Sequence, residues 1–555
     1  MRRVFSRVTI AALVVALASL AVMAAGASAA NNRAQDKTSF VYGAEGGFTT
    51  LDWSQVYQGS PMRSAGFELG GMLFAWDTSK LRGAGCNQFA GAADIKPELA
   101  ESATYDDAAK AWTIKLRPNA KGPNGNAVTA DDVKYTFDRI IFNKQSVSNF
   151  LMNSVAYYGT TMGDITTNPI EVVNASTFKL KVKVKTALDL TVLTWMQFRI
   201  LDSKEAKSHA TSDDPWSNAW LKNNNPGYGP WQISGWSPGS GLFLTQNPNY
   251  WGPRGTIKKL IIKSIPDAST RRQLLEAGKV DFAARLTYSD YIALTQKGTK
   301  STGVKVQRCF AADRTTLLLN FKDPILAKLK VRQALSLATD RGELAKGGYL
   351  GQFPKATWGV GAAYAFKKTA AGTFPAVDVA KAKALLTEAG YPTGFDINMI
   401  YSPARPGPEA DQLAVLLKTQ YAKIGVNLGL TRIASSSDFQ VAFTAGKYQA
   451  MLYLEPPAVG DVFYSLNLYN TTASFQNTFG YNNADYDRLV GEIRVTPAGP
   501  AREARVSKVS EIIVDTVPVI YITDNLFLHG VRDRFTGWIF PPNGEVNAFT
   551  LTATK

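Results

Sequence analysis

The sequence predicts a mixed α/β fold. Three features carry that reading: short stretches of alternating apolar and polar residues, longer stretches with helical apolar spacing, and a recurring order of helix, glycine and strand. The first strand pattern is Ser39 to Gly43. A second runs from Trp112 to Leu116, with Trp112, Ile114 and Leu116 set against Thr113 and Lys115. Thr129-Ala130-Asp131-Asp132 then forms a capping box, in which the Thr hydroxyl and the Asp carboxylate satisfy N–H groups that a helix start leaves without partners. That helix continues through Val133, Phe137 and Ile140, and Thr177 to Val184 follows as an alternating strand. Asp378 caps a helix whose apolar stripe is Ala382, Leu385, Leu386 and Ala389; Gly390 stops it, with Pro392 beyond. The next helix places Leu413, Leu416, Leu417, Tyr421 and Ile424 on one face, Gly425 ends it, and Val426 to Leu430 returns as a strand. There is no solenoid-type repeat and no low-complexity linker, so the domains are expected to be interwoven rather than strung in a row.

At about 150 residues per domain, a chain of 555 residues holds three or four domain-sized units. The formal net charge is +16, yet Lys and Arg are scattered without a long run. A phosphate-binding stripe is therefore absent from the sequence, and no nucleic-acid partner is expected. Two His and two Cys exclude a Cys/His zinc cluster and leave little for His-dependent catalysis. With no phosphate-binding, dinucleotide or calcium loop, the expectation is no metal and no cofactor.

Residues 1–29 read as a secretory signal peptide. Arg2, Arg3 and Arg7 form the positive start, Ile10 to Ala25 the apolar run, and Ala27-Ser28-Ala29 the small-residue exit. The run is short for a membrane span of about 20 residues. The exported protein is expected to begin near Ala30, to carry no lipid and to reside in the periplasm or outside the cell. In that compartment Cys86 and Cys309 can form a disulfide; the sequence leaves the pairing open.

Catalytic motifs fail on inspection, and no catalytic residue is assigned. Gly235-Trp236-Ser237-Pro238-Gly239 matches the nucleophile-elbow spacing. The residue after the Ser is Pro238, which has no N–H to offer an oxyanion. A strand pattern, Leu242 to Thr245, follows where a helix is needed, so Ser237 reads as a hairpin-turn residue. His209 lies in a polar, exposed segment, and His529 reads as an ordinary strand-edge residue.

Several separated stretches resemble one family. Thr50-Leu51-Asp52 follows the opening strand. Pro97-Glu98-Leu99-Ala100-Glu101, Trp112-Thr113-Ile114-Lys115-Leu116-Arg117, Gly125, Thr129 to Val133 and Arg139 come next. Gly227-Tyr228-Gly229-Pro230, Asn247-Pro248-Asn249-Tyr250-Trp251, Gly278 to Asp281 and Asn320-Phe321 continue the order. Val331-Arg332-Gln333-Ala334, Ala338 to Arg341, Asn482 to Leu489 and Pro518 complete it. Together they resemble the extracellular solute-binding proteins of family 5, the peptide-binding class that serves ABC importers. The resemblance implies a two-lobe, hinged periplasmic-binding-protein-like α/β fold (type II, cluster C-like) with an extra domain on the first lobe. Lobe one would take 38–70, 200–305 and 515–555, the extra domain 71–199, and lobe two 306–514. It further implies a small-molecule, peptide-like ligand between the lobes, an ABC transporter permease as partner, and a monomer peripheral to the membrane.

The ligand-binding stretch departs from the family pattern. Peptide-binding members carry two acids after a Trp in a segment that here reads Gly446-Lys447-Tyr448-Gln449 and then Leu452 to Asp461. Without gaps, Glu455 takes the Trp position, Ala458 the amine-binding acid and Asp461 the second acid; a short gap moves Asp461 onto the amine-binding position. Glu455 and Asp461 are thus the expected partners of a cationic ligand group. Arg405 is the candidate for an anionic group, and Tyr453, Phe48 and Trp358 are candidate pocket walls. An oligosaccharide or a cationic metabolite is the alternative ligand.

Overall fold

The computed structural model describes residues 36–554, except 48–49, 56–67, 85–86, 90–93, 147–166, 362–367, 456–460 and 538–547 and the single residues 81, 145, 187, 404, 408 and 475. The signal-peptide expectation, Phe48 and Cys86 therefore lie outside the described residues.

Strand β1 (Ser39–Ala44) opens the chain. A small antiparallel sheet follows, made of β2 (Ala100–Asp106), β3 (Ala111–Leu116), β4 (Ile170–Asn174) and β5 (Thr177–Lys181) in the order β2-β3-β5-β4. Helix α1 (Ala130–Phe142) begins on the expected capping box: the Thr129 hydroxyl accepts from the Asp132 N–H, and the Asp132 carboxylate accepts from the Thr129 N–H at 2.7 Å. Strand β5 stops at Lys181 although the apolar alternation runs on to Val184. Its partners run out there, because β3 begins at Ala111 and β4 at Ile170.

A ten-stranded sheet forms the body. Its further strands are β6 (Trp231–Ser237), β7 (Gly241–Gln246), β8 (Lys259–Ser264), β9 (Phe282–Ala283), β10 (Val304–Leu319), β11 (Phe395–Tyr401), β12 (Val426–Arg432), β13 (Ala450–Glu455) and β14 (Val519–Arg532). The order is β6-β7-β8-β1-β9-β14-β10-β13-β11-β12. Ser237 faces Gly241 at the tip of the β6–β7 hairpin, as the Pro at 238 demands.

Two long antiparallel strands join the halves of this sheet. The lower half of β10 pairs only with β14, from Val304↔Arg532 to Phe310↔Leu526. The upper half, Arg314 to Leu319, lies between β14 and β13. The register shifts between Phe310 and Arg314, where β10 leaves one half and enters the other. A bulge of this kind bends the strand and re-aims its side chains.

Helices α2 (Ala268–Glu276) and α3 (Tyr288–Lys297) accompany the first half. Helices α4 (Leu329–Ala338), α5 (Arg341–Tyr349), α6 (Val379–Glu388), α7 (Ala410–Ala422) and α8 (Ser436–Thr444) accompany the second. Then come α9 (Val462–Asn470), α10 (Ala484–Val495) and α11 (Pro500–Thr516). The expected caps and stops hold: the Asp378 side chain accepts from Lys381 N–H, and Gly390 and Gly425 end their helices at φ +91° and +81°. Leu413, Leu417 and Tyr421 of α7 are wholly buried against the second half. No helix among the described residues is long and apolar enough to cross a membrane.

His529 is not a strand-edge residue. It lies inside β14, flanked by β9 and β10, and is 1% exposed. Burial, with the charges of Arg285 and Arg271 nearby, pushes its imidazole well below the usual histidine value. His209 is partly exposed and stacks on Trp220, ring centroids 4.1 Å apart. Cys309 is buried and disulfide-bonded.

Candidate functional site

A cleft of about 770 Å³ opens between the two halves of the sheet, within the range of ligand pockets. One wall carries Glu45, Arg271, Arg285 and Tyr288 from the β1, α2 and α3 side. The opposite wall carries Phe353, then Pro403, Pro406, Gly407 and Glu409 from the turn before α7, and Leu454 of β13. Its floor is the crossing strands, at Asp313 and Asn525 to Leu528.

The first wall is polar and pre-shaped. Arg271 is buried and donates to the carbonyls of Ala284, Ile265, Pro266 and Arg285 at 2.6 to 2.9 Å, so it braces the segment after β9 rather than reaching into the cleft. Arg285 sits in the left-handed region at φ 43°, held by its own N–H donating to His529 Nδ1 at 3.1 Å. Its guanidinium lies 3.9 Å from the Phe527 ring centroid and pairs with Glu45 at 3.3 Å.

Tyr288, the first residue of α3, reaches the other wall. Its ring meets Tyr349 and Phe353 edge-on, at 5.4 and 5.1 Å, while those two stack on each other at 4.7 Å. Burial raises its hydroxyl well above the usual tyrosine value, and the nearby Glu409 carboxylate adds to the rise. Burial raises the Glu409 carboxyl above its usual value, and the Tyr288 hydroxyl pulls it back.

The sequence candidates divide around this cleft. Arg405 lies in the turn on its wall, joined to Pro406 by a cis peptide bond. Its guanidinium packs 4.2 Å from the Tyr453 ring centroid and donates to the Leu454 carbonyl at 2.8 and 3.1 Å. Strand alternation turns Leu454 toward the cleft and Tyr453 and Glu455 toward the other face. There Tyr453 stacks on Phe443 at 4.5 Å. Glu455 sits opposite Arg314 in the β10–β13 ladder, 4% exposed, and its Oε1 has no hydrogen-bond partner among the described residues. Burial pushes its carboxyl up to about 8, with Arg314 and Arg405 pulling it down. Trp358 is buried and joins this cluster through its carbonyl, which accepts from Arg314 at 2.8 Å. Arg314 in turn pairs with Asp524 at 2.9 Å and lies over Tyr521.

Asp461 is placed elsewhere. It caps α9 by accepting from Phe463 N–H at 2.8 Å, and both its oxygens take the Arg502 guanidinium, at 2.7 and 2.9 Å. It is 3% exposed. Of the two acids singled out in the sequence, Glu455 keeps an oxygen open and Asp461 does not.

Sequence reasoning missed Tyr288, Arg285 and Glu409. The one local signal was at Glu409, which follows the Arg405-Pro406-Gly407-Pro408 turn directly before the apolar stripe of α7.

Comparison with known proteins fits this arrangement. The model of the bacterial extracellular solute-binding proteins, family 5 (middle), matches residues 94–477. The chain belongs to this family. The probable D,D-dipeptide-binding periplasmic protein DdpA of Escherichia coli is 25% identical over 463 residues, covering 81% of this chain and 83% of that protein. Among solved structures, the dipeptide-binding protein of a Pseudoalteromonas species in complex with Met-Leu superposes with a TM-score of 0.76 at 19% identity, covering 93% of this chain and 100% of that one. AgaA of Agrobacterium tumefaciens with agropinic acid gives 0.72 at 21% identity, over 93% and 98%. The fold is therefore the two-lobe α/β fold of periplasmic binding proteins. In this family 5 solute-binding protein, β10 and β14 are the strands that join the two halves of the large sheet.

Proposed function

We propose that this protein captures short peptides between its two lobes, outside the cytoplasmic membrane, and delivers them to the permease of an ABC importer as a peripheral monomer. In this reading lobe one takes 38–70, 200–305 and 515–555, the extra domain 71–199 and lobe two 306–514. The observation that carries it is the 770 Å³ cleft, bounded by both lobes and floored by the strands that cross between them. Acids and arginines share its walls, as a ligand with both an ammonium and a carboxylate requires. Relatives described as dipeptide-binding support the same ligand class. The Ala at 458, where an amine-binding acid is expected, favours a second reading: a non-peptide solute such as an oligosaccharide or a cationic metabolite.

The test is ligand identification followed by closure. Mass spectrometry of small molecules released from the purified protein names candidates. A true ligand at a hundred times its Kd raises stability by about 2.7 kcal/mol. It also shifts the lobes toward a closed state that binds it better. Unchanged small-angle scattering dimensions with such a ligand would refute closure.

A further inference from the structure

We propose that a pocket at the start of β6 is a second ligand site, separate from the cleft, which binds an acidic sugar through Arg199. The ligand class is a hexuronate, one carboxylate on a ring of hydroxyl groups.

The pocket holds about 300 Å³, at the lower end of the range for ligand sites, and shares no lining residue with the cleft. Strand β6 is the outer edge of the large sheet, five strands from β14, which is roughly 24 Å at about 4.8 Å per strand. Arg199 lines the pocket and is 3% exposed. Its Nε donates to the Gly70 carbonyl at 2.7 Å, and its Nη1 donates to the backbone and side-chain oxygens of Asn225. The third nitrogen, Nη2, has no hydrogen-bond partner among the described residues. It stands beside Gly227, where a Cβ would fall 2.5 Å from it. Gly227 is itself on the lining, so the missing side chain leaves that nitrogen open to the pocket.

Among the described residues no carboxylate pairs with Arg199. Glu98 is close by, but it accepts from Gly71 N–H at 2.9 Å. Burial pulls the guanidinium down to about 9, and the Glu98 charge only partly offsets this. A carboxylate entering the pocket supplies the missing counter-charge in a charge-assisted bond.

The rest of the lining suits a hydroxylated body. Asn224 gives its Nδ2 to the Trp220 carbonyl at 2.9 Å, and Gln232 gives its Nε2 to the Thr245 hydroxyl at 3.3 Å. Each keeps a side-chain oxygen to accept from a ligand hydroxyl. Trp220 adds an aromatic ring, steadied by His209 stacked on it. Glu205, the one acid of the lining, is held by Asn124 Nδ2 at 3.4 Å and His209 Nε2 at 3.6 Å. It is therefore not spare for an ammonium, which favours a sugar acid over an amino acid.

The experiment is isothermal titration of the purified protein, Gln232→Glu and Arg199→Lys. The probes are galacturonate, glucuronate, their methyl esters, galactose, glucose, serine, acetate and inorganic phosphate. Wild type should bind one of the hexuronates, and its methyl ester and neutral hexose at least about tenfold more weakly. Gln232→Glu places a second negative charge in the pocket and should weaken the hexuronate at least about tenfold while melting close to wild type, because the Thr245 hydroxyl can turn to donate to it. Arg199→Lys should weaken it similarly, because an ammonium on a shorter reach replaces the open Nη2. Should Arg199→Lys fail to fold, Gln232→Glu decides alone. A wild type that ignores both hexuronates overturns the proposal, as does hexuronate binding that Gln232→Glu leaves unchanged. Serine, acetate or phosphate binding as tightly as the hexuronates overturns the sugar-acid class.

Discussion

Asp461→Asn should destabilise the ligand-free protein, not merely its complex. The carboxylate makes three hydrogen bonds: one from Phe463 N–H at 2.8 Å, which closes the start of α9, and two from the Arg502 guanidinium at 2.7 and 2.9 Å. Asn keeps one oxygen, enough for the helix cap or for one arm of Arg502 but not both, and turns an NH₂ group toward a cation. Arg502 is 5% exposed and its Nε is already given to the Ile493 carbonyl, so it cannot swing out to water without breaking that contact too. Breaking a buried pair by removing one charge costs about 3 to 5 kcal/mol, most of it from the stranded partner. At about 2.1 cal/mol/K of unfolding entropy per residue, that lowers the Tm of a chain of this size by roughly 3 to 5 °C. The measurement is thermal melting followed by circular dichroism, without ligand. Adding Arg502→Met to Asp461→Asn should recover much of the loss, because the uncompensated guanidinium is gone. If Asp461→Asn melts within about 1 °C of wild type, the pair does not hold α9 and the reasoning fails.

The remaining predictions concern pH and the rejected hydrolase motif. Glu455 and Glu68 are both buried, and burial pushes each carboxyl up to about 8. Their folded values lie above the unfolded ones, so the stability they confer is complete below the ordinary carboxyl value and is lost as pH rises toward 8, by up to about 1.4 kcal/mol per pH unit each. Glu455→Gln and Glu68→Gln should each flatten the decline in urea midpoint between pH 5 and 8. His529 acts in the other direction: its folded value is depressed, so its contribution is lost as pH falls below the unfolded imidazole value of about 6.5. His529→Gln should shallow the acid limb of the same profile. Ser237→Ala, at an exposed hairpin tip, should change stability by less than about 0.5 kcal/mol and leave ligand affinity unaltered, which isothermal titration checks.

Much of the fold was legible because its signals are local. The Thr129 capping box, the Asp378 cap and the Gly390 and Gly425 stops each need only a few neighbouring residues, and each stands where the sequence put it. The errors came where a distant partner decides. Strand β5 ends at Lys181, three residues before its apolar alternation gives out at Val184, because a strand lasts only as long as something pairs with it. His529 resembles an edge residue because its flanks say nothing about β9 and β10, strands that begin more than two hundred residues earlier.

The site was less legible for the same reason, and the two acids show why. Glu455 and Asp461 look equivalent in sequence: both are carboxylates in the segment that should face the ligand. What separates them is an arginine on α11, far along the chain, that claims both oxygens of Asp461. Among the described residues nothing comparable claims Oε1 of Glu455. Glu409 was invisible for a complementary reason. A lone Glu after Pro406-Gly407 is ordinarily a solvated helix-start residue, and its place on the cleft wall with Tyr288 shows only once the fold brings α3 there. Whether a carboxylate is an anchor or a brace depends on which cations the fold brings to it. A sequence read without its long-range contacts can therefore propose acids for a ligand amine but cannot rank them; the ranking comes from counting which of them the folded protein has left unpaired.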